Sequence, residues 1–64
     1  MRYYRCYFLS GANAIRDVAA FEARDDNTAI EQARRLLDAQ RDYPRFELWE
    51  GARLVHAEAV SVRP

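Results

Sequence analysis

The sequence predicts an α+β domain in which one amphipathic helix, over residues 27–40, packs on one face of a four-stranded antiparallel sheet in chain order ββαββ. Three observations carry this expectation. Apolar residues recur at helical spacing in one stretch only, after two adjacent aspartates and before Pro44. Stretches of alternating or aromatic-rich character lie on both sides of it. Turn-forming residues at 10–13 and at Gly51 divide each flank into a pair of strands.

Residues 2–9 are dense in aromatic side chains and lack helix caps, which predicts the first strand. Alternation puts Tyr4, Cys6 and Phe8 on one face and Tyr3, Arg5 and Tyr7 on the other. The first set is assigned to the core, because the second would bury Arg5 without a partner. Ser10-Gly11-Ala12-Asn13 tolerates a reversal and opens a hairpin. In the second strand, residues 15–23, inward placement of Ala19, Phe21 and Ala23 leaves Val18 and Ala20 outside. Ile15 and Asp17 then also fall inward, so a bulge or a late strand start is expected.

Asp25 and Asp26 can each accept from the free backbone N–H groups of the first helical turn and complement its dipole. Ala29, Ile30, Ala33, Leu36 and Leu37 form one helical stripe. Glu31 with Arg35 and Arg34 with Asp38 are i,i+4 pairs on a solvated face. Pro44 biases Tyr43 away from helical angles, so the helix should end between Gln40 and Asp42. In the third strand, residues 45–50, Phe46 and Leu48 alternate with Glu47 and Trp49. Gly51 permits a tight turn, and residues 53–59 return with Val55, Ala57 and Ala59 expected inward and Leu54, His56 and Glu58 outward. Residues 60–64 break the alternation and are expected to extend the strand or form a tail. A right-handed crossover with no parallel pairing gives sheet order 2-1-3-4.

With 64 residues there is room for a single domain, and such a chain buries only about 60% of the surface its unfolded form exposes. A deep catalytic pocket is hard to build from so few elements. Half the residues are apolar and 31% are charged, a globular balance rather than a disordered one. Ten Arg oppose ten acidic residues, so no net positive field draws in a phosphate backbone or an anionic membrane. The absence of Lys and the abundance of Ala fit GC-rich bacterial codon usage. Cys6 is the only cysteine, which removes any intrachain disulfide and fits a reducing cytoplasm. The short N-terminal apolar run, interrupted by Arg2 and Arg5, fits neither a signal peptide nor a membrane span.

Tyr-Arg-Cys-Tyr-Phe-Leu at 4–9, Asp-Asp-Asn-Thr-Ala-Ile-Glu-Gln-Ala at 25–33 and Phe-Glu-Leu-Trp-Glu-Gly-Ala-Arg-Leu-Val at 46–55 resemble a group of short uncharacterised alphaproteobacterial proteins. The resemblance spans nearly the whole chain and implies a ββαββ fold. It implies no activity, so no functional residue is carried over.

His56 is the lone histidine, and the face assignments separate it from Cys6, leaving no nucleophile and base within reach. Two potential N or S ligands are too few for a structural zinc site. Asp25, Asp26 and Asn27 lack the remaining ligands of a calcium loop and are explained by capping. Isolated Gly11 and Gly51 make no phosphate cradle. The arginines Arg34, Arg35 and Arg41 alternate with Glu31, Asp38 and Asp42, as on a solvated face. No catalytic residue, metal or cofactor is therefore assigned, and the chain is expected to be a non-enzymatic interaction or accessory protein. Its expected surface is the sheet face the helix leaves open, carrying Tyr3, Arg5, Tyr7, Trp49, Leu54 and His56, with a second copy or another protein as partner. Two alternatives use nearby residues. One is single-stranded nucleic-acid stacking beside Arg5 and Arg53, against which the zero net charge counts. The other is an enzyme site formed between subunits around His56.

Overall fold

The computed structural model describes residues 1–39 and 43–59. Strands β1 (Arg2–Leu9), β2 (Ile15–Ala23), β3 (Arg45–Glu50) and β4 (Arg53–Ala59), with helix α1 (Asp26–Ala39) between β2 and β3, form the ββαββ order. The sheet runs β2-β1-β3-β4 with every neighbouring pair antiparallel, as the sequence predicts. The expected helix end between Gln40 and Asp42 and the expected tail at 60–64 lie outside the described residues.

Local chemistry sets each junction. At the β1–β2 reversal, the Ser10 hydroxyl accepts from the backbone N–H of Ala12 and of Ala14, while Asn13 takes a left-handed φ of 65°, which Asn tolerates better than most residues. The two aspartates before the helix divide their labour. Asp25 is the cap, its carboxylate accepting from the Thr28 N–H at 2.8 Å while its carbonyl accepts from Ala29 at 3.0 Å. Asp26 is the first helical residue, so the helix begins one position earlier than predicted. Gly51 has φ 58° and is the only described glycine with positive φ. A two-residue loop, Gly51-Ala52, with positive φ at its first position is the type II′ geometry that matches strand twist.

The core sits between the helix and one sheet face. Ala29, Ala33 and Leu37 are buried against Tyr4, Cys6, Phe8, Ala23, Phe46 and Leu48, with Ile30, Leu36, Phe21, Tyr43 and Val55 at its margin. Small side chains on the helix stripe let it approach the sheet closely, so two alanines of the stripe are fully covered. Phe21 stacks on Tyr4, and Tyr43 on Phe8, at centroid separations of 6.1 and 5.7 Å.

Two register shifts change which residues share a face. Between β1 and β2, Phe8 opposes Asp17 but Leu9 opposes Ile15, leaving Arg16 as the extra residue. The expected bulge is therefore present and Asp17 does fall on the helix side, but the bulge turns Ile15 to the open face rather than inward. Between β3 and β4, Trp49 opposes Leu54 whereas Leu48 opposes His56, leaving Val55 as the extra residue. Beyond this bulge the alternation of β4 is inverted: His56 and Glu58 lie on the helix side and Ala57 and Ala59 on the open side, the reverse of expectation. Val55 keeps its apolar contact with the core, and the inversion lets Glu58 reach the helix.

Candidate interaction surface

The ladders define the open face row by row. Arg5 lies between Ala20 and Trp49, and Trp49 is followed by Leu54; in the next row Tyr7 lies between Val18 and Glu47, and Glu47 is followed by Ala57. Tyr3, opposite Glu22, extends the face at one end. Tyr3, Ile15, Val18 and Leu54 are 55%, 61%, 51% and 49% exposed, so the face presents apolar surface from both edge strands as well as β1.

At its other end the centre of the face is covered while its β2 edge, at Ile15, stays exposed. Leu9 shares the open-side alternation yet is only 4% exposed. Arg45, its ladder partner on β3, hydrogen-bonds through Nη1 to the Asn13 side chain in the β1–β2 loop. An arginine stem can cover an apolar neighbour in this way.

The Trp49 Nε1–H donates to the Glu47 carboxylate at 3.2 Å, so its indole leans along β3 away from the Gly51 turn. A cleft of about 330 Å³ lined by Tyr3, Arg5, Tyr7 and Gly51 remains on this face. Three consecutive same-face side chains of β1 form its wall, a consequence of strand alternation.

The opposite face is occupied with holding the fold. Where α1 begins, Arg2 donates to both Glu50 oxygens at 2.9 and 2.7 Å. Arg53 bridges Asp26, at 3.2 and 3.0 Å, and Glu50, at 2.6 Å. The buried Tyr4 hydroxyl donates to Asp26 at 2.8 Å. Two cations and two carboxylates thus tie β1, α1, β3 and β4 together with charges balanced. Bonds from Arg2 and then Arg53 hold the Glu50 carboxyl down at about 2, and bonds from Arg53 and Tyr4 lower that of Asp26. This network was missed from the sequence, although Arg2 shares alternation with Tyr4 and Glu50 with Leu48, which places both on the helix-side face. Arg53 belongs to it and does not stand beside Arg5 as the stacking alternative requires.

His56 likewise leaves the predicted surface. It pairs across from Leu48, its ring lies 6.0 Å from that of Phe46, and its Nε2 is 2.8 Å from Glu58, which also accepts from Arg34 Nε at 2.9 Å. The bonds from His56 and then Arg34 lower the Glu58 pKa. Cys6 and His56 therefore share the helix-side face rather than lying on opposite faces, but Leu48 stands between them on the ladder. Two strand spacings separate their backbones by about 10 Å. Burial pushes the Cys6 thiol up to about 12, which keeps it protonated and unreactive at neutral pH.

Of the predicted surface residues, Tyr3, Arg5, Tyr7, Trp49 and Leu54 share the open face. Ile15, Ala57 and Ala59 join them through the two bulges, of which alternation announces the one in β2 but not the one in β4. Fold and surface together define a small α+β domain with one helix-covered sheet face and one that no described residue covers. Comparison with protein families, with curated proteins and with solved structures finds no match to this chain. No described helix is long and apolar enough to cross a membrane.

Proposed function

We propose that this chain is a non-enzymatic interaction domain that associates with a second copy of itself through the open sheet face. The observation that carries the reading is the uncovered apolar and aromatic surface of that face, with Tyr3, Val18 and Leu54 about half exposed around a central Arg5, Trp49, Tyr7 and Glu47. Exposed apolar surface on this scale marks contact sites, and aromatic residues with Arg, here at the centre of the face, are the side chains that anchor them. The face supplies its own counter-charge, since Arg5 and Glu47 sit on adjacent strands and neighbouring rows. A second copy therefore meets a neutral, amphipathic surface rather than a repelling one.

Sedimentation equilibrium over a wide concentration range tests this reading. A weight-average mass rising toward twice the chain mass supports it; a strict monomer at millimolar concentration overturns it. Stacking of single-stranded nucleic acid is the competing use of Tyr3, Tyr7 and Trp49, and Glu47 beside them opposes it. Quenching of Trp49 fluorescence by mixed oligonucleotides at low salt, reversed by added salt, would favour that competitor.

A further inference from the structure

We infer that Asp17 holds the outer edge of β2 closed to strand addition by another chain, because its carboxylate occupies an outward backbone N–H that a pairing ladder on that edge needs. This edge lies apart from the open face, so nothing about it depends on self-association there. β2 is an edge strand of nine residues, and its stretch Val18-Ala19-Ala20-Phe21 carries no charge and no Pro. Uncharged, unbroken edge segments are templates on which further strands add. β4 is the other edge of the sheet. A sheet open at both edges can add copies head to tail without limit, whereas closing one edge stops such growth at a pair.

The ladders fix which groups of β2 point outward. A two-residue hairpin loop requires its flanking pair, Glu50 and Arg53, to exchange both backbone bonds. Glu50 therefore turns its N–H and C=O to β4, and Trp49 turns its own to β1. Arg5, opposite Trp49, then bonds to β3, as does Tyr7 two residues on, while Cys6 and Phe8 turn to β2. The Ser10 N–H, which donates to the Ala14 carbonyl at 2.9 Å, continues the same phase. Tyr7 and Val18 are thus opposed without sharing backbone bonds, and Val18, Ala20 and Glu22 point theirs to the free edge. Asp17 is exposed, and its Oδ1 accepts from the Val18 N–H at 2.8 Å. An incoming strand must break that charge-assisted bond and desolvate the carboxylate. On the far side of Val18 the bulge at Arg16 already interrupts the ladder. Ala20 and Glu22 are left as a short edge, and short edges pair poorly.

Two variants separate the bond from the charge. Asp17→Ala and Asp17→Asn each remove one negative charge from a neutral chain and so share the same net charge, but only Asn keeps a side-chain oxygen for the Val18 N–H. A charge-assisted bond is worth about tenfold in an equilibrium. Asp17→Ala should therefore form species larger than a dimer at about tenfold lower concentration than wild type, whereas Asp17→Asn should stay within about threefold of wild type. Sedimentation velocity reads the species, thioflavin T binding reports whether they are stacked strands, and far-UV circular dichroism checks that each variant folds. Amide exchange followed by NMR in the dilute wild type gives a readout that needs no variant. The Val18 N–H should exchange about tenfold more slowly than those of Ala20 and Glu22 on the same edge. In the assemblies of Asp17→Ala, exchange at Ala20 and Glu22 should slow as the edge becomes paired. Unchanged association of Asp17→Ala, equal association of the two variants, or Val18 exchange as fast as that of Ala20 overturns this role of Asp17. Each of these results leaves a wild-type dimer through the open face standing, since that dimer stops at two copies.

Discussion

Leu48 and Leu54 are the same residue type on adjacent strands of one sheet, and the structure assigns them opposite tasks. Leu48 is 0% exposed beneath the helix, between Cys6 and His56, whereas Leu54 is 49% exposed on the open face. Truncating Leu48 to Ala removes three buried carbons, about 2.4 kcal/mol at roughly 0.8 kcal/mol each. An incompletely filled cavity brings the expected cost to about 3–4 kcal/mol. A domain of this size has on the order of 3–10 kcal/mol of total stability. Leu48→Ala should therefore lower Tm by about 12–30 °C, at roughly 4–8 °C per kcal/mol, or prevent folding altogether. Leu54→Ala loses only about half the transfer energy and leaves no cavity, so it should cost about 1 kcal/mol or less. Urea unfolding followed by circular dichroism, at a concentration low enough to keep the chain monomeric, measures both. Equal costs, or a larger cost at Leu54, would refute the assignment of the two faces.

Acid should erode the ion network at the helix start. Glu50 titrates at about 2 in the folded chain against an ordinary 4.5; a lowered folded pKa means stabilisation present above pH 4.5 and lost as pH falls toward 2. Wild type and Glu50→Gln should thus differ in stability at neutral pH and converge on acidification, whereas parallel stability curves would contradict the network. At the second hairpin, Gly51→Ala meets open space, with no atom within 4 Å of the added Cβ, so its cost should be the left-handed backbone alone, about 1–2 kcal/mol, measurable by thermal unfolding. Native Cys6 should resist a thiol reagent at pH 8, because it is buried and its pKa is pushed up to about 12. Labelling should speed up in urea in step with unfolding, and fast labelling of the native chain would contradict its burial.

The fold was legible because each element carried its own local signal: the alternation of Tyr4, Cys6 and Phe8, the Ala29–Ala33–Leu37 stripe, and punctuation by Asp25, Pro44 and Gly51. The strand order followed from antiparallel pairing of two hairpins around one helix. What escaped was set by single-residue insertions. Val55 is apolar and fits the inward alternation, so nothing in the string Leu-Val-His-Ala-Glu-Ala marks it as a bulge. Yet every residue after it changes face, and His56 moves from the predicted contact surface to the Glu58–Arg34 cluster. Ile15 changes face through Arg16 at the bulge expected in β2, where the alternation left open only which residues it would turn outward. The ion network was hidden for a different reason: it joins residues from four elements, so its partners become visible only once the ladders fix which ends of the strands lie beside the helix N-terminus. By contrast, Tyr3, Arg5, Tyr7 and Trp49 stood on the open face from alternation alone, because no irregularity intervenes between them along β1 or across to β3.

The central claim, that the helix side holds the domain together while the uncovered side receives a second copy, is tested most directly by proton–carbon and proton–nitrogen NMR spectra recorded across a dilution series. The Trp49 indole signal and the methyl signals of Val18 and Leu54 should move together with increasing concentration, while those of Leu37 and Leu48 stay fixed. Spectra that do not change with concentration, or changes centred on the helix, would contradict it.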